Sequence, residues 1–192
     1  ILRLEDKMED KFSFIVNGKT IVTTEDVNLL DFLRDDLGLI SVKDGCKEGA
    51  CGTCTILVDG KAMKSCIFTT KKVAGKEITT IEGFTEREKE VFAYAFTECG
   101  AVQCGFCIPG MVVAAKALFL RTLDPTSDEV KKALVGNICR CTGYVKIEQA
   151  IMLAAKLFRE NTPVPHRECK GLIGTNVHRV DAEAKTLGIA KC

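Results

Sequence analysis

The sequence predicts an α+β protein in which a small mixed sheet crossed by one helix is followed by a set of helices. Two turns predict the sheet: Asn17-Gly18 and Asp59-Gly60 each separate two strand-like runs, as in tight β-hairpins. A change of periodicity predicts the helices, because apolar residues beyond residue 85 recur at helical spacing.

In the first half, each element has its own signal. Asn28 precedes apolar residues at helical spacing and Gly38 offers a left-handed stop, so the sequence predicts a short helix over 29–37. The strands are expected in a hairpin over 12–24, a second hairpin over 55–65, and a last strand over 78–81.

In the second half, capping signals place the helix starts. Thr85 with Glu88 and Thr126 with Glu129 both form the capping-box pattern, and Gly100 follows the end of the first of these helices. Further helices are predicted over 110–121, 127–135 and 145–159. Four short helices joined by short loops predict a small bundle.

Composition excludes several classes of protein. The net charge of +1 over 192 residues is not the excess of positive charge typical of proteins that bind nucleic acid or an anionic membrane surface. No apolar run approaches the roughly 20 residues of a membrane-spanning helix. The start of the sequence lacks the apolar segment and cleavage site of a signal peptide, so a cytoplasmic setting is expected.

The 11 cysteines are the most informative feature of the composition. In a reducing compartment cysteines remain thiols, which favours metal sites over disulfides. Eight of them fall into two groups, Cys46, Cys51, Cys54 and Cys66, and then Cys104, Cys107, Cys139 and Cys141.

The first group begins with the spacing C-x4-C-x2-C, which is typical of plant-type 2Fe–2S ferredoxins. Glycines at 45, 49 and 52 let backbone N–H groups approach the sulfur atoms. Cys66, at the end of the second hairpin, supplies a fourth ligand nearer in the chain than a plant ferredoxin places it. A structural zinc site is the alternative, since four thiolates also satisfy tetrahedral zinc.

The second group joins a C-x2-C to a C-x-C, and each pair leads into a predicted helix. A helix N-terminus favours thiolate over thiol, so both pairs suit an anionic centre. By spacing alone, zinc and a 2Fe–2S cluster are equally good interpretations.

Three motifs carry a family resemblance: GCKEGACGTC, QCGFCIPGM and GNICRCTGY. Together they resemble the iron–sulfur subunit of the molybdenum hydroxylases, the family of xanthine dehydrogenase, aldehyde oxidase and carbon monoxide dehydrogenase. The resemblance runs from about residue 12 to 160 and includes all eight grouped cysteines in order.

The resemblance implies a β-grasp 2Fe–2S ferredoxin-like domain followed by an all-α four-helix 2Fe–2S domain, with one group of four cysteines holding each cluster. It also implies that Gln103 and Cys141 lie next to the molybdopterin of a large partner subunit. Electrons would then pass from molybdenum through the helical-domain cluster to the ferredoxin-like cluster, and on to FAD on another subunit or a different acceptor. The chain itself would carry no catalytic residue.

The sequence divides accordingly into an N-terminal extension (1–11), the ferredoxin-like domain (12–82), the helical domain (83–160) and a tail (161–192). Residues 171–189 of the tail resemble the opening of the family's molybdenum-binding subunit. This suggests a fragment or a former fusion.

An electron relay within a molybdenum hydroxylase is therefore the predicted function, as no acid, base or nucleophile for substrate chemistry is apparent. The alternatives are a zinc-stabilised interaction module without a redox role and a free soluble ferredoxin. The helical second half disfavours the free ferredoxin.

Overall fold

The computed structural model describes residues 11–165, 173–174 and 177–190. The chain begins with a hairpin of β1 (Phe12–Val16) and β2 (Lys19–Thr23). Asn17 and Gly18 both have positive φ at its turn, as the Asn-Gly pair predicts. A second hairpin joins β3 (Thr55–Val58) to β4 (Lys61–Lys64).

The last strand, β5 (Glu77–Thr79), lies in the middle of the sheet, whose order is β2-β1-β5-β3-β4. It runs parallel to β1 and antiparallel to β3, so the sheet is mixed, as predicted. The strand ends earlier than the predicted 78–81, because the chain turns into a 3-10 helix over Ile81–Gly83.

One helical segment crosses the sheet. It starts as α1 (Leu29–Asp31), capped by the Asn28 side chain, and continues as a π-helical turn over Phe32–Asp36. Gly38 follows with φ 67°, the left-handed stop that the sequence indicates. Leu29, Leu30 and Leu33 are fully buried against the sheet.

In the described part of the chain, five α-helices follow the sheet: α2 (Glu86–Glu98), α3 (Ile108–Phe119), α4 (Ser127–Leu134), α5 (Tyr144–Glu160) and α6 (Ala182–Thr186). Both predicted capping boxes are formed, at Thr85 and at Thr126. The predicted α+β class is confirmed. Within the described ranges, no helix has the length and apolar character needed to cross a membrane.

Strand β3 is shared between two hydrophobic cores. Ile56 and Val58 face the core formed by the sheet and α1, whereas Leu57 belongs to the core of the helices. The helical core contains Phe92, stacked on Phe119 at 5.7 Å. Because successive side chains of a strand point to opposite faces, one strand attaches the helices to the sheet.

The tail contributes a segment that we call the strap, residues 177–190. Helix α6 in it packs on α2 and α3. At its start, His178 Nε2 lies 3.0 Å from Glu98 Oε2 on α2. At its end, Lys43 Nζ donates to the Gly188 carbonyl at 2.9 Å. The strap therefore contacts both the helices and the loop that follows α1.

Candidate metal centres

The first four cysteines come together around the loop between the π-helical turn and β3. Cys54 directly precedes β3, and Cys66 lies in the 3-10 turn that follows β4. The β3–β4 hairpin sets these two side by side, and Ser65 N donates to the Cys54 carbonyl at 3.1 Å. We call the set Cys46, Cys51, Cys54 and Cys66 the loop site.

Backbone N–H groups point at the sulfur of Cys46. Those of Cys51 and Glu48 donate to its Sγ at 3.4 and 3.5 Å. These bonds lower the pKa of the Cys46 thiol to about 7, with the Cys51 N–H the larger cause. The loop is therefore built to stabilise negative charge on this sulfur.

The thiols of the loop site form two pairs. Cys46 interacts with Cys51, and Cys66 interacts with Cys54. Burial, followed by the neighbouring Cys54, raises the pKa of Cys66 to about 11. Cys46 is also within electrostatic reach of Cys66, so the two pairs are neighbours.

A glycine lets the loop close around these sulfur atoms. A Cβ at Gly45 would lie 2.6 Å from Thr53 Oγ1 and 2.9 Å from Cys51 Sγ, and both distances are too short for a non-bonded contact of a Cβ atom. Thr53 Oγ1 itself lies 3.3 Å from Cys51 Sγ. The backbone at residue 45 therefore lies directly against the sulfur, where any side chain would displace it.

The second four cysteines line one small cavity between the start of α3 and the loop before α5. We call Cys104, Cys107, Cys139 and Cys141 the helix site. They also pair: Cys107 interacts with Cys139, and Cys104 with Cys141. Cys107 and Cys139 are buried, whereas Cys104 is exposed and Cys141 half-buried. The site therefore has a buried side and an open side.

The expectation that helix dipoles favour thiolate throughout this site is wrong for Cys107. That residue is the N-cap of α3, yet burial raises the pKa of its thiol strongly, because desolvation outweighs the helix terminus. The pKa of Cys141 is lowered by the Cys104 backbone N–H and thiol rather than by α5, whose N-cap is Gly143.

Gln103 lines the same cavity as the helix site, beside its exposed edge. Its side chain is exposed, and its backbone carbonyl accepts from Lys185 Nζ of the strap at 3.4 Å. The structure thus brings Gln103 and Cys141 to the open side of one site.

The two sites touch through their loops. Ile138 N, adjacent to Cys139, donates to the Cys51 carbonyl at 2.9 Å. Beside it is a contact that we call the seam, formed by Gly52, Gly110, Gly136 and Asn137. The buried Asn137 amide donates to the Gly52 carbonyl at 2.8 Å. A Cβ at Gly52 would lie 2.2 Å from the Gly136 carbonyl oxygen.

The seam was missed by sequence reasoning. Asn137 stands inside the motif GNICRCTGY, but nothing in its spacing indicates that its partner is a carbonyl in the first loop. The packing of α3 against β3 brings the loops together.

The paired arrangement bears on the choice of metal. In a 2Fe–2S cluster with four cysteines, each iron is bound by two of them. Two neighbouring pairs of thiols, with N–H groups directed at sulfur, fit that requirement at both sites.

Two family models match consecutive parts of the chain. Residues 14–80 match the model of the 2Fe-2S iron-sulfur cluster binding domain, and residues 80–152 match that of the 2Fe-2S binding domain. The chain is 45% identical over 144 residues to the nicotinate dehydrogenase small FeS subunit of Eubacterium barkeri, covering 73% of this chain and 92% of that subunit.

Other relatives show the same relationship. Identity is 43% to the xanthine dehydrogenase iron-sulfur-binding subunit of Escherichia coli O157:H7, over 65% of this chain and 79% of that subunit. The crystal structure of the aldehyde oxidoreductase from Desulfovibrio desulfuricans ATCC 27774 superposes with a TM-score of 0.85 at 36% identity. That match covers 95% of this chain but only 21% of the oxidoreductase.

The two domain models match this chain in the predicted order, and the chain spans most of the length of those two small subunits. The resemblance found in the three cysteine motifs is confirmed. The chain belongs to the family of iron–sulfur subunits of the molybdenum hydroxylases, the oxidoreductases that include xanthine and nicotinate dehydrogenases.

Proposed function

We propose that this chain is the electron relay of a molybdenum hydroxylase and holds one 2Fe–2S cluster at each cysteine site. Cys46, Cys51, Cys54 and Cys66 would bind one cluster, and Cys104, Cys107, Cys139 and Cys141 the other. The observation that carries the proposal is the double pairing of thiols, at two sites joined by one backbone hydrogen bond.

The chemistry that the clusters supply is one-electron transfer, here from the molybdenum centre of a partner through the helix site to the loop site and then to FAD or another acceptor. The protein contributes the environment of each cluster. N–H groups directed at Cys46 stabilise negative charge at the loop site. Burial of Cys107 and Cys139 keeps water from one side of the helix site.

The open side of the helix site supports an orientation for the complex. Gln103 and Cys104 are exposed there, and Cys141 is half-buried. We therefore place the molybdopterin of the large partner subunit against Gln103 and Cys141, where the Gln103 amide offers a hydrogen-bond donor and an acceptor. The FAD-binding partner would receive electrons from the loop site.

The division into residues 12–82 and 83–160 is part of the proposal, as is the origin of the tail. A tail that resembles the opening of the molybdenum-binding subunit fits a strap that packs beside the helix site. We propose a cytoplasmic setting, since cluster ligands must remain thiols.

The test is a pair of ligand variants in the purified complex, each examined by EPR after reduction. Cys139→Ser is expected to abolish the helix-site signal and leave the loop-site signal, and Cys51→Ser to do the reverse. Cys99→Ser, which changes a cysteine outside both sites, should leave both signals intact. Two signals that disappear together in either ligand variant would overturn the assignment.

A zinc-stabilised interaction module is the alternative function. It predicts a colourless protein that contains zinc and no iron or sulfide. The visible spectrum of the purified chain distinguishes it from the relay before any mutation is made.

A further inference from the structure

Lys64 is a lysine held against the loop site. It is the last residue of β4 and is half-buried. Its ammonium donates to the Gly49 carbonyl at 2.5 Å and lies 3.4 Å from the Ala50 carbonyl. A cation thus lies on the outer side of the loop between Cys46 and Cys51.

The two peptide groups that it holds have their N–H ends on the sulfur side. A trans peptide directs its C=O and N–H in opposite directions, and the described chain contains no cis peptide bond. With the carbonyls of Gly49 and Ala50 turned to Lys64, the N–H groups of Ala50 and Cys51 turn inward. The Cys51 N–H reaches Cys46 Sγ at 3.4 Å, and the Ala50 N–H also lowers the pKa of Cys46.

The Lys64 ammonium therefore lies at the carbonyl ends of these two peptide groups and the Cys46 sulfur at their N–H ends, so each peptide dipole has its positive end toward the sulfur. Adding an electron to a cluster here adds negative charge beside these dipoles. A nearby cation and N–H groups aimed at sulfur stabilise the reduced form more than the oxidised form. Because Lys64 is half-buried, solvent ions screen this effect less than they would on the open surface.

We propose that Lys64 is a positioning residue that raises the reduction potential of the loop-site cluster in two ways: its positive charge lies beside the loop, and it holds the Gly49–Cys51 peptides with their N–H groups toward Cys46. This inference rests on the proposed function, since it requires a cluster at the loop site. It makes the loop site a better electron acceptor than the same cysteines without Lys64, which favours transfer toward it from the helix site.

The experiment is a redox titration of the purified holo complex, with the two EPR signals followed separately. In Lys64→Met, the ratio of reduced to oxidised loop-site cluster at a fixed potential should fall at least about tenfold, a shift of about 59 mV to lower potential. The helix-site midpoint should stay in place. Lys64→Arg keeps the charge and should retain most of the wild-type potential.

Two further variants keep the test decisive. Lys61→Met removes the same charge from the exposed beginning of β4 and should leave both potentials unchanged. Lys64→Gln removes the charge but keeps an amide donor for the carbonyls. It should therefore lower the loop-site potential even if the Met variant fails to assemble its cluster.

If the wild-type complex shows both signals and Lys64→Gln has the same loop-site potential as the wild type, the role of Lys64 is overturned and the relay function still stands. Equal shifts at both sites, or an equal shift in Lys61→Met, would also overturn it. A wild-type protein without a cluster signal at the loop site would instead overturn the proposed function.

Discussion

The backbone N–H of Ile138 donates to the carbonyl oxygen of Cys51 across 2.9 Å. Cys51 belongs to the loop site, and Ile138 directly precedes Cys139 of the helix site. The path from Cys51 Sγ to Cys139 Sγ therefore runs through covalent bonds except at this one hydrogen bond. In the proposed relay it is the direct connection between the clusters.

Removing that N–H should slow transfer between the clusters. Ile138→Pro deletes the donor and is expected to slow electron equilibration between the two centres severalfold, with a loss of about 1 kcal/mol in stability. Freeze-quench EPR after rapid reduction measures the rate. Ile138→Ala keeps the N–H and changes a half-exposed side chain, so it serves as the control. Equal rates in the two variants would show that the hydrogen bond does not limit transfer.

The seam should be intolerant of a single added methyl group. Gly52 and Gly75 have nearly equal φ values of 72° and 73°, but a Cβ meets the Gly136 carbonyl oxygen at 2.2 Å in the first case and nothing within 4 Å in the second. Gly52→Ala should therefore lower the Tm by about 2–10 °C more than Gly75→Ala does. Thermal unfolding followed by circular dichroism measures both. Similar decreases in Tm for the two variants would mean that backbone strain alone, and not packing at the seam, destabilises Gly52→Ala.

Cysteine reactivity in the cluster-free protein should follow the pKa values of the thiols. The pKa of Cys46 is lowered to about 7 by N–H groups, and that of Cys66 is raised to about 11 by burial. At pH 8 Cys46 is mostly thiolate and Cys66 mostly thiol, so iodoacetamide should label Cys46 at least about tenfold faster. Lowering the pH through 7 should slow Cys46, whereas Cys66 should keep gaining rate toward pH 11.

Peptide mapping by mass spectrometry reads each cysteine separately. Labelling in urea provides the control, because the two thiols should then react alike. Faster labelling of Cys66 in the folded protein would contradict the arrangement of N–H groups around Cys46.

Local structure was predicted from the sequence more accurately than long-range contacts were. The two hairpin turns, both capping boxes and the stop at Gly38 depend on residues close in the chain, and each was found where predicted. The predicted strand over 78–81 was wrong at its end, because Ile81 leaves the sheet to join the helical core. That exchange depends on tertiary packing, which periodicity does not report.

The same distinction applies to the sites. Cysteine spacing grouped all eight thiols, and the structure brings each group together. Spacing did not reveal which thiols pair, the contact of Asn137 with Gly52, or the approach of Lys64 to the loop. Each of these depends on how β4 and α3 lie against the loop, so it follows from the fold.

The strap should be held by burial of α6. Ala182 is 1% exposed against the helices, so a charge there must either be buried unpaired or open the strap. Ala182→Glu is expected to increase trypsin cleavage after Arg179 and Lys185 at least about tenfold, which corresponds to about 1.4 kcal/mol of easier opening. Ile189→Glu places the same charge at an exposed position of the strap and should have little effect. Unchanged cleavage in Ala182→Glu would indicate that other contacts hold the strap.

The most direct test of the relay is the metal and sulfide content of the purified chain, measured together with EPR spin quantitation after full reduction. Two clusters predict about four iron and four sulfide per chain, no stoichiometric zinc, and two distinct signals of about one spin each. Stoichiometric zinc with neither iron nor sulfide would contradict the account.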